Sequence, residues 1–112
     1  MTAASPLIGR LRQRVTLQRE SGVPDTGGGY ALAWTDLATV WGAVEALTGR
    51  ERLQAAALES TVTHRMLLRA RTDIDAAMRV VWRGRAFNIR AVMDRTGRDR
   101  LTELLVEEGG AV

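Results

Sequence analysis

From Leu11 to Gln18 the chain alternates residue by residue, with Leu11, Gln13, Val15 and Leu17 on one side and Arg12, Arg14, Thr16 and Gln18 on the other. A period of two is the pattern of a β-strand with one buried face, and it keeps returning. It recurs at Tyr30–Trp34, Leu37–Leu47 and Val62–Arg71, and it predicts a hairpin of Val80–Trp82 and Phe87–Met93 turning at Arg83-Gly84-Arg85. A last strand is expected over Leu101–Glu107, with the order ending at Gly109-Gly110. Short strands spaced by about 8 to 12 residues predict an all-β fold, a small barrel or sandwich of about six strands.

The segments between the strands differ in kind. Glu20–Gly29 carries Gly22, Pro24, Asp25 and the run Gly27-Gly28-Gly29, so it is expected as an exposed, mobile loop able to reach about 30 Å when extended. Leu37–Leu47 places Val40, Gly42, Val44 and Ala46 on one side and Trp41, Ala43, Glu45 and Leu47 on the other. Both faces are mostly apolar, which predicts barrel or sandwich packing or a neighbouring subunit over the second face. Arg50–Ser60 is rich in helix formers, and Thr48 stands three residues before Glu51 in the spacing of a capping box. One short helix is expected there. Thr72–Ala77 reads as a polar connection and Asp94–Arg100 as a charged turn around Gly97.

At 112 residues the chain predicts one domain with a single core: an arm over 1–10, a β-barrel over 11–108 and a tail over 109–112. It contains no cysteine and one histidine, which excludes disulfides, thiolate nucleophiles and cysteine zinc sites. Its pI of about 10.9 overstates its charge, because 16 basic residues against 13 acidic ones leave only +3. All the cations are arginines, so little titrates between His64 and the guanidinium range. Such usage is more often the codon bias of a GC-rich genome than a selected phosphate-binding surface. No segment reads as a signal or a membrane span.

Candidate chemistry is sparse. His64 shares its strand face with Val62 and Met66 and lacks an orienting carboxylate, so it reads as a core or interface histidine. Asp73 and Asp75 have a D-x-D spacing without the further oxygen ligands of a cation loop, which makes them turn residues. Gly27–Gly29 is followed by no lysine or serine and is not a phosphate loop. The pairs Arg12/Arg14, Arg69/Arg71 and Arg83/Arg85 each lie on one side of a strand or turn. They form either a solvated face or a wall facing a polyanion, and no aromatic stacking platform beside two such pairs is evident. No acid, base and nucleophile set assembles, so the chain reads as a non-enzyme without cofactor or metal.

A wider pattern runs through these pieces. Leu11-Arg12-Gln13-Arg14-Val15-Thr16-Leu17-Gln18-Arg19, Asp25 with Gly27-Gly28 and Trp34, Val40-Trp41-Gly42-Ala43-Val44-Glu45 and Gly49-Arg50-Glu51 come first. Thr63-His64-Arg65, Asp73-Ile74, Met78-Arg79-Val80, Gly84-Arg85, Phe87-Asn88-Ile89 and Glu107-Glu108 follow. In order and spacing the chain resembles the head-tail joining proteins of tailed bacteriophages, prophages and gene transfer agents. Two positions depart from the pattern: Ala46, where proline is frequent, and Val106, where cysteine is often found.

The resemblance implies a head-closure or stopper protein of the particle neck, made in the bacterial cytoplasm. Such a protein forms a ring of six or twelve copies below the portal and adaptor, closes the channel for packaged double-stranded DNA and receives the tail terminator or tail tube. On that expectation, Leu47–Ser60 with Thr48, Gly49, Arg50, Glu51 and Arg52 lines the channel or the contact between subunits. Asp25, Gly27, Gly28, Gly29 and Tyr30 reach a neighbouring ring, and Arg12, Arg14, Arg69 and Arg71 face phosphate. The rival expectations are a monomeric oligonucleotide-binding barrel and a tail terminator of the same particle.

Overall fold

The computed structural model describes residues 10–24, 27–56, 61–95 and 100–112. Among these residues six strands and one helix follow in the order β1 (Gln13–Pro24), β2 (Tyr30–Ala46), α1 (Gly49–Ala56), β3 (His64–Arg69), β4 (Arg79–Trp82), β5 (Arg85–Arg95) and β6 (Leu101–Ala111). The strands close into a barrel in the order β1-β2-β3-β6-β5-β4, and every neighbouring pair is antiparallel. The all-β expectation holds, and closure removes the free edges that an open sheet of this size would expose.

Alternation fills the barrel. Val15 and Leu17 of β1, Met66 and Leu68 of β3, Val80 of β4, Phe87 and Ile89 of β5, and Leu104 and Val106 of β6 point inward and are buried. The interior is therefore a packed core and not a pore. Core residues also come from the stretch expected as a polar connection and from the position just after it. Ile74 and Met78 turn into the cluster, while Asp73 and Asp75 point outward and are exposed. Gly42 marks the tightest approach in the wall: a Cβ there would lie 2.7 Å from Leu68 Cδ2 and 3.1 Å from the Leu67 carbonyl oxygen.

The largest departure from the sequence reading is Glu20–Gly29. Through Pro24 it is strand, not loop: Arg19 to Pro24 pair in register with Thr35 to Tyr30. No core is needed for this, because backbone hydrogen bonds and polar cross-strand pairs hold the two strands together. Gln18 Nε2 donates to Asp36 Oδ1 at 2.8 Å, and the Ser21 and Thr35 hydroxyls lie 3.2 Å apart. Arg79 of β4 covers the Trp34 ring at 4.3 Å. Since β4 pairs with β1 only over Thr16–Gln18, the remainder stands clear of the barrel as a two-stranded ribbon. The molecule is elongated as a result, 61 × 30 × 23 Å with a radius of gyration of 15.5 Å, against about 13 Å for a compact chain of similar length.

The two expected strands, Tyr30–Trp34 and Leu37–Leu47, are one, which ends at Ala46. Leu17 faces Ala38 while Gln18 faces Asp36, so Leu37 is an extra residue in a bulge where the ribbon leaves the barrel. A second bulge corrects the expected end of order. Ala86 pairs with Gly110 and Phe87 with Glu108, which leaves Gly109 between them and carries β6 on to Ala111. A Cβ at Gly109 would meet the Ala86 carbonyl oxygen at 3.3 Å. The β4–β5 turn forms as expected: Arg83 and Gly84 both have positive φ, 51° and 74°, the conformation of a two-residue hairpin loop that follows the twist of its strands.

The second face of β2 is largely sealed by the chain itself. Ala43 and Leu47 are buried, whereas Trp41 is 52% exposed. Of the apolar face expected to be covered by barrel packing or by a neighbouring subunit, Trp41 is the large side chain left open. His64 takes the place expected of it, half-buried with its ring edge-on to Phe87 at 5.1 Å and Nδ1 2.8 Å from the Thr63 hydroxyl.

Candidate functional site

Three surfaces carry the residues singled out above. The first is α1 and its anchor. Thr48 and Glu51 form the expected capping box: the Thr48 backbone N–H donates to Glu51 Oε1 at 3.0 Å, and the Glu51 N–H donates to Thr48 Oγ1 at 3.2 Å. The helix spans Gly49–Ala56, and the expected continuation to residue 60 lies outside the described residues. Eight residues make a marginal helix by themselves. Arg50, Arg52, Leu53 and Gln54 are exposed, Leu53 at 73%, so little of α1 is buried against the barrel. Gly49, Arg52, Leu53 and Ala56 instead border an open recess of about 410 Å³, which Thr61 and Val62 also line.

Arg65 fastens the helix to the wall. Its guanidinium donates to Glu51 at 2.9 Å and to Glu45 at 3.1 Å, with Nε 3.6 Å from Glu103. Arg10 adds a second bond to Glu45 at 2.9 Å. Partial burial works against the charged guanidinium, but the bonds to Glu51 and Glu45 outweigh it and hold Arg65 above the ordinary arginine range. The Thr48 backbone and the Arg65 guanidinium in turn hold the Glu51 carboxyl below its usual value. On the outward face of β3, the charge of Arg65 is neutralised by these carboxylates. Sequence reasoning missed this hub because its charges come from β2, α1, β3 and β6.

The second surface is the ribbon tip. Gly27, Gly28 and Gly29 are exposed there, and Gly28 has φ +86°, a conformation that favours glycine. Tyr30 opens β2, though its side chain lies outside the described residues, as does Asp25.

The third surface was not expected as a unit. Arg14 pairs with Trp41 across β1 and β2, and one residue beyond the Gly42–Leu68 pair Trp41 comes beside Arg69 of β3. Arg14 lies over the Trp41 ring at 4.7 Å, within the range of a cation–π contact. Arg14, Thr39, Trp41, Arg69, Ala70 and Arg71 line a groove of about 340 Å³. Arg71 is held by Asp73 through Nε at 2.9 Å and a terminal nitrogen at 2.7 Å, which raises the Arg71 pKa and lowers that of Asp73. The structure therefore gathers three of the four expected phosphate-facing arginines around an exposed aromatic ring. Arg12, the fourth, is exposed just ahead of β1. Strand pairing supplies the stacking surface that had not been evident in the sequence.

Asp75 behaves as a turn residue, accepting from the Ala77 N–H at 2.9 Å. Among the described residues no three His, Cys, Asp or Glu side chains converge as a metal site, and no helix is long and apolar enough to cross a membrane.

Residues 6–109 match the family model described as phage head completion protein. The chain belongs to the phage head completion protein family. Protein SF1141 from Shigella flexneri 2a, known from a solution structure, is similar at 31% identity with a TM-score of 0.74, covering 91% of this chain and 96% of that one. A chain in the virion of a native gene transfer agent particle shares the fold at 23% identity, with a TM-score of 0.58 and coverage of 91% and 98%. No curated protein matches the chain. Head completion is the work of structural proteins of the phage particle, not of a known enzyme class, so the head-tail family suggested by the sequence motifs stands and the protein is a virion component.

Proposed function

We propose that this head completion protein is the stopper of the neck, a ring subunit below the portal and adaptor that closes the DNA channel and offers the docking surface for the tail terminator or tail tube. The observation that carries this reading is the family match over residues 6–109, which takes in all six strands except the last two residues of β6. A chain of the same fold occurs in a gene transfer agent virion. Physical features agree with it. The barrel interior is filled by Phe87, Leu17, Met66 and their neighbours, so any channel has to run between subunits. A ring subunit also has to reach its neighbours, and the ribbon ending at Gly27–Gly29 projects from a rigid wall.

In this assignment α1, with Thr48, Gly49, Arg50, Glu51 and Arg52, faces the channel or the next subunit, where its exposed Leu53 and the recess beside it are covered. The ribbon tip reaches a neighbouring ring. In a cyclic heterologous contact one patch meets a different patch on the next copy, and repetition around the ring multiplies the +3 of each subunit. Arginines such as Arg12, Arg14, Arg69 and Arg71 then meet packaged DNA through phosphate, without reading sequence. Assembly takes place in the bacterial cytoplasm.

Deleting the protein from the particle tests the assignment. The expected result is filled heads that lose DNA and carry no tails, and normal tailed particles would overturn it.

A further inference from the structure

The geometry points to a binding site for unpaired nucleic acid on the outer wall of the barrel, built from Arg14, Trp41 and Arg69. Trp41 projects from the side of β2 opposite the core-facing Val40 and Val44 and is 52% exposed, so about half of the residue's surface is open to solvent. Arginines flank it on both neighbouring strands: Arg14 over the ring at 4.7 Å and the exposed Arg69 on β3. The groove they share with Thr39, Ala70 and Arg71 has a volume of about 340 Å³, near the lower end of small-molecule sites and suited to one planar base with its phosphate. None of the described residues lining it is acidic. Asp73, paired with Arg71, offsets only one of the three arginines.

Single strands fit this arrangement better than duplex. A base can stack on Trp41 only if it is out of its own helix, whereas both forms offer phosphate equally. The arginines supply the charge term and the tryptophan supplies the discrimination. Arg100 extends the cationic rim: its carbonyl accepts from the Ala70 N–H at 2.7 Å, and its side chain is exposed. The inference does not depend on the ring or stopper assignment, because the site is complete within one copy.

The test uses the purified full chain. It measures fluorescence anisotropy of a labelled oligo-deoxythymidine of about ten nucleotides, within the span of a single-barrel site, and of a hairpin duplex with the same number of phosphates. The expected result is tighter binding of the single strand at equal salt. Trp41→Leu weakens it about tenfold, within the range of one lost base stack, while Trp41→Phe retains most of the affinity. Arg14→Gln and Arg69→Gln each lower the log–log salt slope by about 0.7. Thermal unfolding of each variant at the wild-type midpoint establishes that the barrel is intact, and Trp41→Phe keeps the comparison open should Trp41→Leu unfold. Equal or tighter binding of duplex, no binding of the single strand, or a Trp41→Leu variant that binds like wild type would overturn the inference. So would a deca-glutamate peptide that binds with the same dependence on Trp41, which would assign the groove to an acidic protein segment.

Discussion

The same two strands, β1 and β2, build both the barrel wall and the projecting ribbon, and the two regions are stabilised differently. In the wall, every second residue enters a sealed interior: Val15 and Leu17 on β1 are almost wholly buried. Beyond the Leu37 bulge no interior exists. The ribbon is held by backbone pairing, by the Gln18–Asp36 and Ser21–Thr35 bonds and by Arg79 lying over Trp34. The contrast separates stability from reach. The wall stores the folding energy, and the ribbon is free to present surface because little of that energy depends on it.

Substitutions along these strands and across the core should break or sharpen that contrast. The largest effect is expected at Phe87, fully buried and in ring contact with His64 and Trp82. Phe87→Ala should cost about 3–5 kcal/mol, a large share of a marginal total of about 5–15 kcal/mol, and chemical denaturation would report a much lower midpoint. Gly42→Ala comes next. The added methyl meets Leu68 and the Leu67 carbonyl, and overpacking of this kind costs about 1–3 kcal/mol. An unchanged midpoint would mean that the wall gives way more easily than its geometry indicates.

Acid should act on the surface bonds that fasten loops and helix to the wall. The carboxyls of Glu51, Asp73 and Glu107 are held below their ordinary values: Glu51 by the Thr48 backbone and Arg65, Asp73 by Arg71, and Glu107 by Thr61 and Arg90. A depressed carboxyl pKa stabilises the fold above the unfolded value, about 4, and that contribution is lost as pH falls through the lower folded value. Denaturation at pH 7 and pH 3 should show a modestly lower midpoint in acid, and a midpoint that rises would contradict the sign. The smallest effect is expected on the ribbon. Ser21→Ala removes one exposed hydroxyl pair and should shift stability by less than about 0.5 kcal/mol; a loss as large as that at Gly42 would erase the distinction between the two regions.

The same contrast explains what could be read from the sequence. The wall strands were legible because alternation records burial, the β4–β5 turn because Gly84 accepts positive φ, and the start of α1 because its capping box is local. Residues 19–24 were not, since a ribbon without a core has no alternation to display and its glycine and proline resemble loop chemistry. Bulges at Leu37 and Gly109 were equally hidden, each being a property of two strands in register. The Arg14–Trp41–Arg69 surface failed for the same reason. Its members are separated by 27 and 28 residues in the chain, and only strand pairing across the wall brings them together.

The central claim is that packed barrels of this family member surround a channel that none of them contains. A reconstruction of the particle neck tests it most directly. The account predicts a closed ring of these barrels between portal and tail, with α1 turned toward the axis or the adjoining subunit and the ribbon touching a neighbouring ring. A neck without the protein, or a ring in which both α1 and the ribbon face outer solvent, would contradict it.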